Sequence, residues 1–160
     1  MPPIVSIIGR SKSGKTTLLE KLIPELTRRG YRIGVIKHSF HELEFDKPGK
    51  DSWRFNAAGA ETIVLSTEGL FVMVKKGPEK PLDELAGYFK DMDLVLTEGF
   101  KRSDKPRIEV LRKEQHQELL SVDHPNLVAC VTDAEVSVNV PIFGLDEIVP
   151  LADLIEEKFL

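Results

Sequence analysis

The chain has 160 residues, of which 41% are hydrophobic and 30% are charged, and its formal net charge at pH 7 is -4. A chain of this length and apolar content is typical of one domain whose core is large enough to fold without disulfides or structural metals. The mildly acidic balance excludes a general electrostatic attraction to nucleic acid or to an anionic membrane surface, so any anion that the protein binds has to be held locally.

Cysteine use and the amino-terminal pattern predict a cytoplasmic protein. Cys130 is the only cysteine, which excludes an internal disulfide and suits a reducing compartment. Met1-Pro2-Pro3 leads directly into a short apolar segment, a pattern unlike that of a cleavable targeting peptide. No apolar run approaches the roughly 20 residues that a membrane-spanning helix needs. We therefore expect neither a membrane nor nucleic acid among the partners.

Strands and helices alternate along the first part of the chain. Ile4 to Ile8 is an apolar and mostly β-branched run bounded by glycine, which predicts a strand buried on both faces. Thr17 to Arg29 carries leucine and isoleucine at helical spacing, and Pro24 is expected to kink its last turns. Tyr31 to Lys37 predicts a second strand, and residues 38–50 predict a loop that is longer than a simple connector.

The second part of the chain adds a hairpin and further buried strands. Asp51 to Ala60 predicts a short helix, and Thr62 to Ser66 with Leu70 to Lys75 predicts a hairpin. The remaining predicted elements are a helix over Leu82–Lys90, strands over Leu94–Thr97, Arg107–Leu111, Leu127–Thr132 and Ile142–Phe143, and a helix over Leu151–Phe159. This alternation predicts a single α/β domain over residues 1–160. We expect three layers, with helices on both faces of a mainly parallel sheet and the hairpin paired at an edge.

Residues 9–16 match a phosphate-binding loop, G-x-x-x-x-G-K-[ST], and they stand between a predicted buried strand and a predicted helix. The loop consists of Gly9-Arg10-Ser11-Lys12-Ser13-Gly14-Lys15-Thr16. Its glycines allow successive backbone N–H groups to point at an anion, and the helix N-terminus adds a partial positive charge. Lys15 can reach the β- and γ-phosphates, the Thr16 hydroxyl is a magnesium ligand in such loops, and Thr17 can donate towards the α-phosphate. The sequence therefore predicts a P-loop protein that binds a purine nucleoside triphosphate with Mg²⁺.

Further candidate residues follow the predicted strands, because ligands of open α/β sheets bind beyond the carboxyl ends of the strands. Glu98 ends an apolar strand at the position of a magnesium-binding acid. Because it is a glutamate in place of the usual aspartate, it suits a hydrogen bond to a metal-bound water better than direct ligation. The alternative is an ordinary acid at the end of a strand. Lys37 and His38 end the second strand and could meet an anionic substrate, whereas Asp46 could position water or magnesium. The alternative for these three residues is loop surface.

Three weaker signals complete the set of candidates. Asp133 follows another strand and could accept hydrogen bonds from guanine, which would favour GTP over ATP, but the motif Asn-Lys-x-Asp is absent and Asp133 could equally form a turn. The basic stretch from Lys101 to Arg107 is either a solvated face or a second binding element. His38 and His41 have a spacing that zinc accepts on a helix, although no further ligand pair accompanies them.

Several motifs along the chain combine into a pattern that is more specific than the phosphate loop alone. They are Gly14–Leu19, Lys21–Pro24, Ile36–His38, Asp46–Ser52, Ala58–Ala60 and Thr97–Lys101. This combination resembles the MobB family, molybdopterin-guanine dinucleotide biosynthesis protein B, which comprises small GTP-binding proteins of molybdenum cofactor maturation.

The resemblance implies a dimeric P-loop protein that binds and slowly hydrolyses GTP. It also implies an adaptor role towards the guanylyltransferase that attaches GMP to molybdopterin. By the same resemblance, residues 9–17 hold phosphates, Glu98 stands in the acidic metal-site position, and Lys37, His38 and residues 46–51 line the substrate side. The candidate catalytic residues are then Lys15, Asp46 and Glu98, and the candidate magnesium ligands are Thr16, Glu98 and Asp46.

Two other functions fit parts of the pattern. A P-loop small-molecule or nucleotide kinase would pass the γ-phosphoryl group to an acceptor, and it would need a carboxylate base and an arginine-bearing lid, for which Lys101 to Arg107 is the one lid-like segment. A pure interaction protein with a silent loop is the third hypothesis. The apolar hairpin from Ile63 to Val74 has edges that a small sheet must cover, which suggests a homodimer.

Overall fold

The computed structural model describes residues 1–39 and 46–160, which fall into two compact units. The first, here called the sheet unit, consists of residues 1–38 and 81–160, and the second, the hairpin unit, spans residues 39–80. His41, the second histidine of the possible zinc pair, lies outside the described residues. The expectation of one domain over residues 1–160 stays a prediction.

The secondary structure follows the predicted alternation closely. The strands are β1 (Ile4–Ile8), β2 (Ile33–Lys37), β3 (Thr62–Ser66), β4 (Phe71–Lys75), β5 (Leu94–Glu98), β6 (Arg107–Leu111), β7 (Leu127–Thr132) and β8 (Ile142–Phe143). The helices are α1 (Lys15–Arg28), α2 (Asp51–Ala57), α3 (Leu82–Ala86) and α4 (Ile148–Phe159), with a 3₁₀ turn over Gly87–Phe89 after α3. No helix within the described ranges is long and apolar enough to cross a membrane.

The sheet unit is built on six strands in the order β2-β5-β1-β6-β7-β8, and every neighbouring pair is parallel. Strand β1 lies inside the sheet, with β5 on one side and β6 on the other. Its residue Ile7 is in register with Glu98 of β5 and with Ile108 of β6. The carboxyl ends of these three strands therefore meet at one edge of the sheet, directly where the phosphate loop begins.

Helices cover both faces of this sheet. Along β1, Val5 and Ile7 pack into a cluster that also contains leucines of α1 and the inner face of α4, whereas Ile4 packs on the other side with Leu82 and Ala86 of α3. This alternation follows from the pleat of a strand, which points successive side chains to opposite faces. All five residues of β1 are buried. The predicted three-layer α/β fold is confirmed.

Some helix boundaries differ from the prediction. Helix α1 begins at Lys15, two residues earlier than expected, because Gly14 in a left-handed conformation serves as its N-cap, and it runs through Pro24 to Arg28. Helix α4 begins at Ile148 because Pro150 lies in its first turn, where a missing backbone N–H costs little.

The hairpin is confirmed, but the expectation that it pairs at an edge of the main sheet is wrong. Strands β3 and β4 form a separate two-stranded antiparallel sheet, in register from Thr62 with Lys75 to Ser66 with Phe71. The hairpin belongs to the hairpin unit, so its ladder hydrogen bonds are made within that unit. Of its β3 residues, only Ile63 is buried.

A loop after β6 is tied to the sheet by a buried carboxylate. Glu109 of β6 is 1% exposed, and its two oxygens accept the backbone N–H groups of Leu120 at 2.6 Å and Ser121 at 2.9 Å. The Asp133 carboxylate at the end of β7 accepts the N–H of Lys113 at 2.8 Å. Residues 112–121, here called the β6 loop, are therefore held at both ends by acidic side chains of the sheet.

Replacing Glu109 by alanine is expected to destabilise the sheet unit. The change leaves two backbone donors without their acceptors, which costs about 2–4 kcal/mol and lowers Tm by roughly 5–12 °C. Glu109→Gln retains a side-chain carbonyl and should lose less. Thermal and urea unfolding followed by circular dichroism measure both effects. Glu157→Ala, at an exposed position of α4, is the matched control, and an equal loss in that variant would contradict the assignment.

Candidate functional site

The phosphate loop joins the buried end of β1 to the start of α1. Gly14 has φ of 95°, no side chain caps the N-terminus of α1, and the first turn of that helix carries no acidic residue. The first-turn N–H groups and the positive end of the helix dipole therefore have no carboxylate of the same turn competing for them. This local structure is that of an anion-binding helix terminus.

Backbone conformation and close packing shape the interior of the loop. Gly9 has φ of 148°, and a Cβ at this position would lie 2.5 Å from both Ser13 Oγ and the Val110 carbonyl oxygen, so only glycine fits. Lys12 adopts a left-handed conformation with φ of 62°. The Ser13 hydroxyl is buried and has no hydrogen-bond partner in the described part of the chain. A buried donor of this kind inside a phosphate loop fits an anion as its partner.

Lys15 lies across the mouth of the loop. Its Nζ donates to the Arg10 carbonyl oxygen at 2.8 Å and to the Gly9 carbonyl oxygen at 3.3 Å. Burial lowers the pKa of the Lys15 ammonium from its ordinary value; the nearby Glu98 opposes this shift, and the positive charges of Lys101 and Lys37 add to it. Lys15 is thus a cation in a partly desolvated setting, where its attraction for phosphate is stronger than in water.

Two of the three residues assigned to magnesium, Thr16 and Glu98, meet in the structure. The Thr16 hydroxyl donates to the Glu98 carboxylate, with both oxygens 3.1 Å away, and Lys37 Nζ lies 3.5 Å from Glu98 Oε2. In the described residues no group of three or more His, Cys, Asp or Glu side chains is placed to hold a metal. One hydroxyl and one carboxylate nevertheless fit Mg²⁺, which takes few protein ligands and fills its shell with phosphate oxygens and waters.

These residues surround a polar cleft of about 330 Å³ at the carboxyl edge of the sheet. Its lining consists of Ser11, Lys12, Gly14, Lys15, Thr16, Thr17, Glu98 and Arg112. A second cleft, of about 420 Å³, is lined by Arg10 and residues 113–118 of the β6 loop. Six of the predicted phosphate-binding residues thus line one surface with Glu98, whereas Gly9, Arg10 and Ser13 are not among its lining residues.

Sequence reasoning missed Arg112. A Cβ built on Gly14 would lie 2.9 Å from Arg112 Nε, so the guanidinium packs against the backbone of the phosphate loop. The signal was present, because Arg112 directly follows β6, and β6 lies next to β1. The spacing of the predicted strands does not reveal that β6 is the neighbour of β1, so it does not place the end of β6 beside the phosphate loop.

His38 and Asp133 have structural contacts in addition to their predicted roles. The His38 ring lies 5.0 Å from the Phe100 ring, and its backbone N–H donates to the Glu98 carbonyl oxygen at 3.0 Å. Asp133 is exposed and accepts a backbone N–H of the β6 loop, as described above. Guanine recognition by Asp133 stays a prediction.

Asp46 belongs to the hairpin unit, and there its carboxylate is already bonded. It accepts the Ser52 hydroxyl, the backbone N–H of Lys47 at 2.7 Å and the Lys50 ammonium at 3.2 Å. The Ser52 and Lys47 hydrogen bonds hold the pKa of Asp46 below its usual value, so it is ionised near neutral pH. A magnesium or catalytic role for Asp46 stays a prediction.

The basic stretch after Gly99 is not a single solvated or binding face. Arg107 is 2% exposed and donates to the carbonyl oxygens of Lys101 at 3.1 Å and of Ser103. Lys105 pairs with Asp83 at 2.7 Å. Arg107 therefore closes the connection between β5 and β6, and this is a structural task that charge pattern alone does not reveal.

Comparison with known proteins gives a consistent result. Residues 4–133 match the family described as molybdopterin guanine dinucleotide synthesis protein B, MobB. The chain is 42% identical over 158 residues to the molybdopterin-guanine dinucleotide biosynthesis adapter protein of Haemophilus influenzae, covering 96% of this chain and 88% of that protein. It is 37% identical over 164 residues to the Escherichia coli adapter protein of the same name, covering 98% and 93%. The crystal structure of a molybdopterin-guanine biosynthesis protein B has a TM-score of 0.76 at 33% identity, covering 96% of this chain and 97% of the other.

The matched range contains every residue that lines the cleft, from the phosphate loop through Glu98 to Arg112. It also ends at Asp133, directly after β7. The resemblance inferred from the motifs is thereby confirmed, and the chain belongs to the MobB family.

Proposed function

We propose that this protein binds GTP with Mg²⁺ in the cleft at the phosphate loop, hydrolyses it slowly, and acts as an adaptor in the synthesis of molybdopterin guanine dinucleotide. Its partners would be the guanylyltransferase of that pathway and molybdopterin. The observation that carries the nucleotide part is the meeting of Lys15, Thr16 and Glu98 at the N-terminus of α1. The pathway part is supported by the relatives, which are named adapter proteins of this synthesis.

The residues of the cleft are suited to binding the triphosphate of a nucleotide. Backbone N–H groups of residues 9–17 and the Lys15 ammonium would bind the phosphate oxygens, and the Thr16 hydroxyl would ligate Mg²⁺, with Glu98 accepting from a metal-bound water. When bound, magnesium would neutralise part of the negative charge of the phosphates. Asp133 is our candidate for guanine recognition, because it follows the carboxyl end of β7.

The surroundings of the cleft favour slow hydrolysis over transfer to an acceptor. Among its lining residues Glu98 is the one carboxylate, and that carboxylate is engaged by Thr16 and Lys37. A kinase would need a second carboxylate as base and a mobile arginine. Of the two arginines in the lid-like stretch, Arg107 is buried against backbone carbonyls. Arg102 is exposed and does not line the cleft.

Nucleotide titration by calorimetry, with and without Mg²⁺, tests this proposal. We expect the protein to bind GTP more tightly than ATP, and Lys15→Ala to abolish measurable binding because it removes the ammonium at the β- and γ-phosphates. Lys158→Ala, which removes an exposed lysine from α4, is the matched control and should bind as the parent does. Unchanged GTP affinity in Lys15→Ala would contradict the nucleotide site, and equal affinity for ATP would contradict guanine selection.

The adaptor role is tested separately by reconstitution. Guanylyltransferase, molybdopterin and Mg²⁺–GTP are incubated with and without the protein, and the dinucleotide cofactor formed is quantified by chromatography. We expect the protein to raise the yield, and Lys15→Ala to fail to do so. If Lys15→Ala raised the yield of the dinucleotide cofactor as much as the parent protein does, nucleotide binding would play no part in the adaptor function.

We further propose that the hairpin unit forms a homodimer through one face of β3–β4. Val64 and Met73 are paired in register, and Phe71 lies on the same face two pairs along. The exposed fraction is 51% for Val64, 41% for Met73 and 65% for Phe71. Such a contiguous apolar face is typical of a protein–protein contact. A second copy of the chain presents the same face, so two such sheets can pair or stack symmetrically and cover each other.

Sedimentation at micromolar concentration tests the dimer. We expect the parent protein to have a dimeric mass and Phe71→Glu to be monomeric, because a buried unpaired carboxylate is costly in an apolar contact. Val149→Glu is the control, since Val149 is 53% exposed on α4 in the sheet unit. A monomeric mass for the parent would dispose of the proposal.

A further inference from the structure

We propose that Arg112 is a phosphate-binding residue of the cleft, a guanidinium held over the phosphate loop by the β6 loop of the same chain. This inference rests on the nucleotide binding proposed above and adds a residue that lies outside the phosphate-loop motif. Its ligand class is the polyphosphate chain of a nucleoside triphosphate.

The position of the side chain is the first argument. A Cβ added to Gly14 would lie 2.9 Å from Arg112 Nε and 3.4 Å from both Cζ and Nη2. The guanidinium therefore lies close to Gly14, the residue that caps α1. It shares the cleft with Lys15 and Thr16, the two residues expected to contact the β- and γ-phosphates and magnesium.

The hydrogen-bonding state of the group is the second argument. Arg112 Nε is buried and has no partner in the part of the chain that the structure describes. Asp146, which is close enough to respond to the Arg112 charge, instead pairs with Lys21 at 2.6 Å. A buried guanidinium N–H without an acceptor is costly, and an anion in the cleft would supply that acceptor. The buried hydroxyl of Ser13, also without a partner among the described residues, belongs to the same loop.

The third argument is that the backbone on either side of Arg112 is held in place by hydrogen bonds. The carbonyl oxygen of Arg112 accepts the N–H groups of Gln115 and His116, each at 3.0 Å, which closes a tight turn. His116 Nε2 lies 2.9 Å from the Ser11 carbonyl oxygen, so the turn is tied to the phosphate loop itself. Glu109 and Asp133 hold the two ends of the β6 loop, as described above. The backbone that carries Arg112 is therefore held in place, so the β6 loop does not have to be ordered before the arginine binds an anion.

The positive surroundings of this group favour a multiply charged phosphate over a singly charged carboxylate ligand. The arginine fork donates two parallel N–H bonds to adjacent oxygens, and the neighbouring Lys15 and helix terminus already concentrate positive potential. Glu98, the acid that lines the same cleft, is bonded to Thr16. The local charge is therefore positive on the Arg112 side of the loop.

The experiment compares binding of two probes, Mg²⁺–GTP and inorganic tripolyphosphate, by calorimetry. Arg112→Gln is expected to weaken binding of both by roughly tenfold to a hundredfold, since charge-assisted hydrogen bonds are lost. Arg112→Lys should fall between, because an ammonium retains charge without the fork. Arg28→Gln is the matched control; Arg28 pairs with Glu25 at the far end of α1 and should change affinity less than twofold.

Two further measurements separate phosphate binding from a merely structural role. The Tm of each variant without ligand should stay close to that of the parent, and the affinity ratio of parent to Arg112→Gln should shrink as salt is raised. The assignment would be overturned if both Arg112→Gln and Arg112→Lys lose affinity and the fraction of folded protein falls to the same extent.

The outcomes distinguish this proposal from the one on which it rests. If Lys15→Ala loses GTP but Arg112→Gln binds it as the parent does, Arg112 is not a phosphate ligand and the nucleotide site stands. If Arg112→Gln weakens GTP and leaves tripolyphosphate unchanged, the contact is not with phosphate and the proposal falls. If the parent binds neither probe, both proposals fall together.

Discussion

The burial of β1 between two parallel neighbours is the constraint on which the functional surface depends. All five of its residues are buried, and β5 and β6 flank it in register. Because the chain has to leave this strand at the carboxyl edge and turn at once into α1, it does so through a glycine-rich loop. The same geometry delivers Glu98 from one neighbour and Arg112 from the other to opposite sides of that loop.

The electrostatic balance of the cleft explains what this surface can do. Lys15 belongs to the phosphate loop, Arg112 packs against that loop, and Glu98 is held by the Thr16 hydroxyl and Lys37. A site of this kind is complementary to a polyanion with a divalent cation, and it has no carboxylate left in the described cleft lining to activate an acceptor. The arrangement suits retention of a nucleotide better than rapid turnover, in keeping with family members named as adapter proteins.

Buried polar residues that seemed to be binding candidates or ordinary strand residues turn out to organise loops. Arg107 was counted among a basic stretch, yet it is 2% exposed and closes the connection that carries the chain past β1 into β6. Glu109 interrupts an apolar strand and was not singled out, although its carboxylate ties down two backbone N–H groups of the β6 loop. In both cases the hydrogen-bond partner is a backbone group, so the pattern of side chains along the sequence does not reveal the interaction.

Hydrophobic period, glycine placement and motif spacing are local properties of the chain, so the strand and helix alternation, the phosphate loop and the family could all be predicted before the structure was known. Tertiary structure alone decided that β6 is the second neighbour of β1 and that Arg112 therefore reaches Gly14. It also decided that the hairpin pairs only with itself. Strand order and the contacts between distant residues depend on how separate elements pack, and no local pattern specifies that packing.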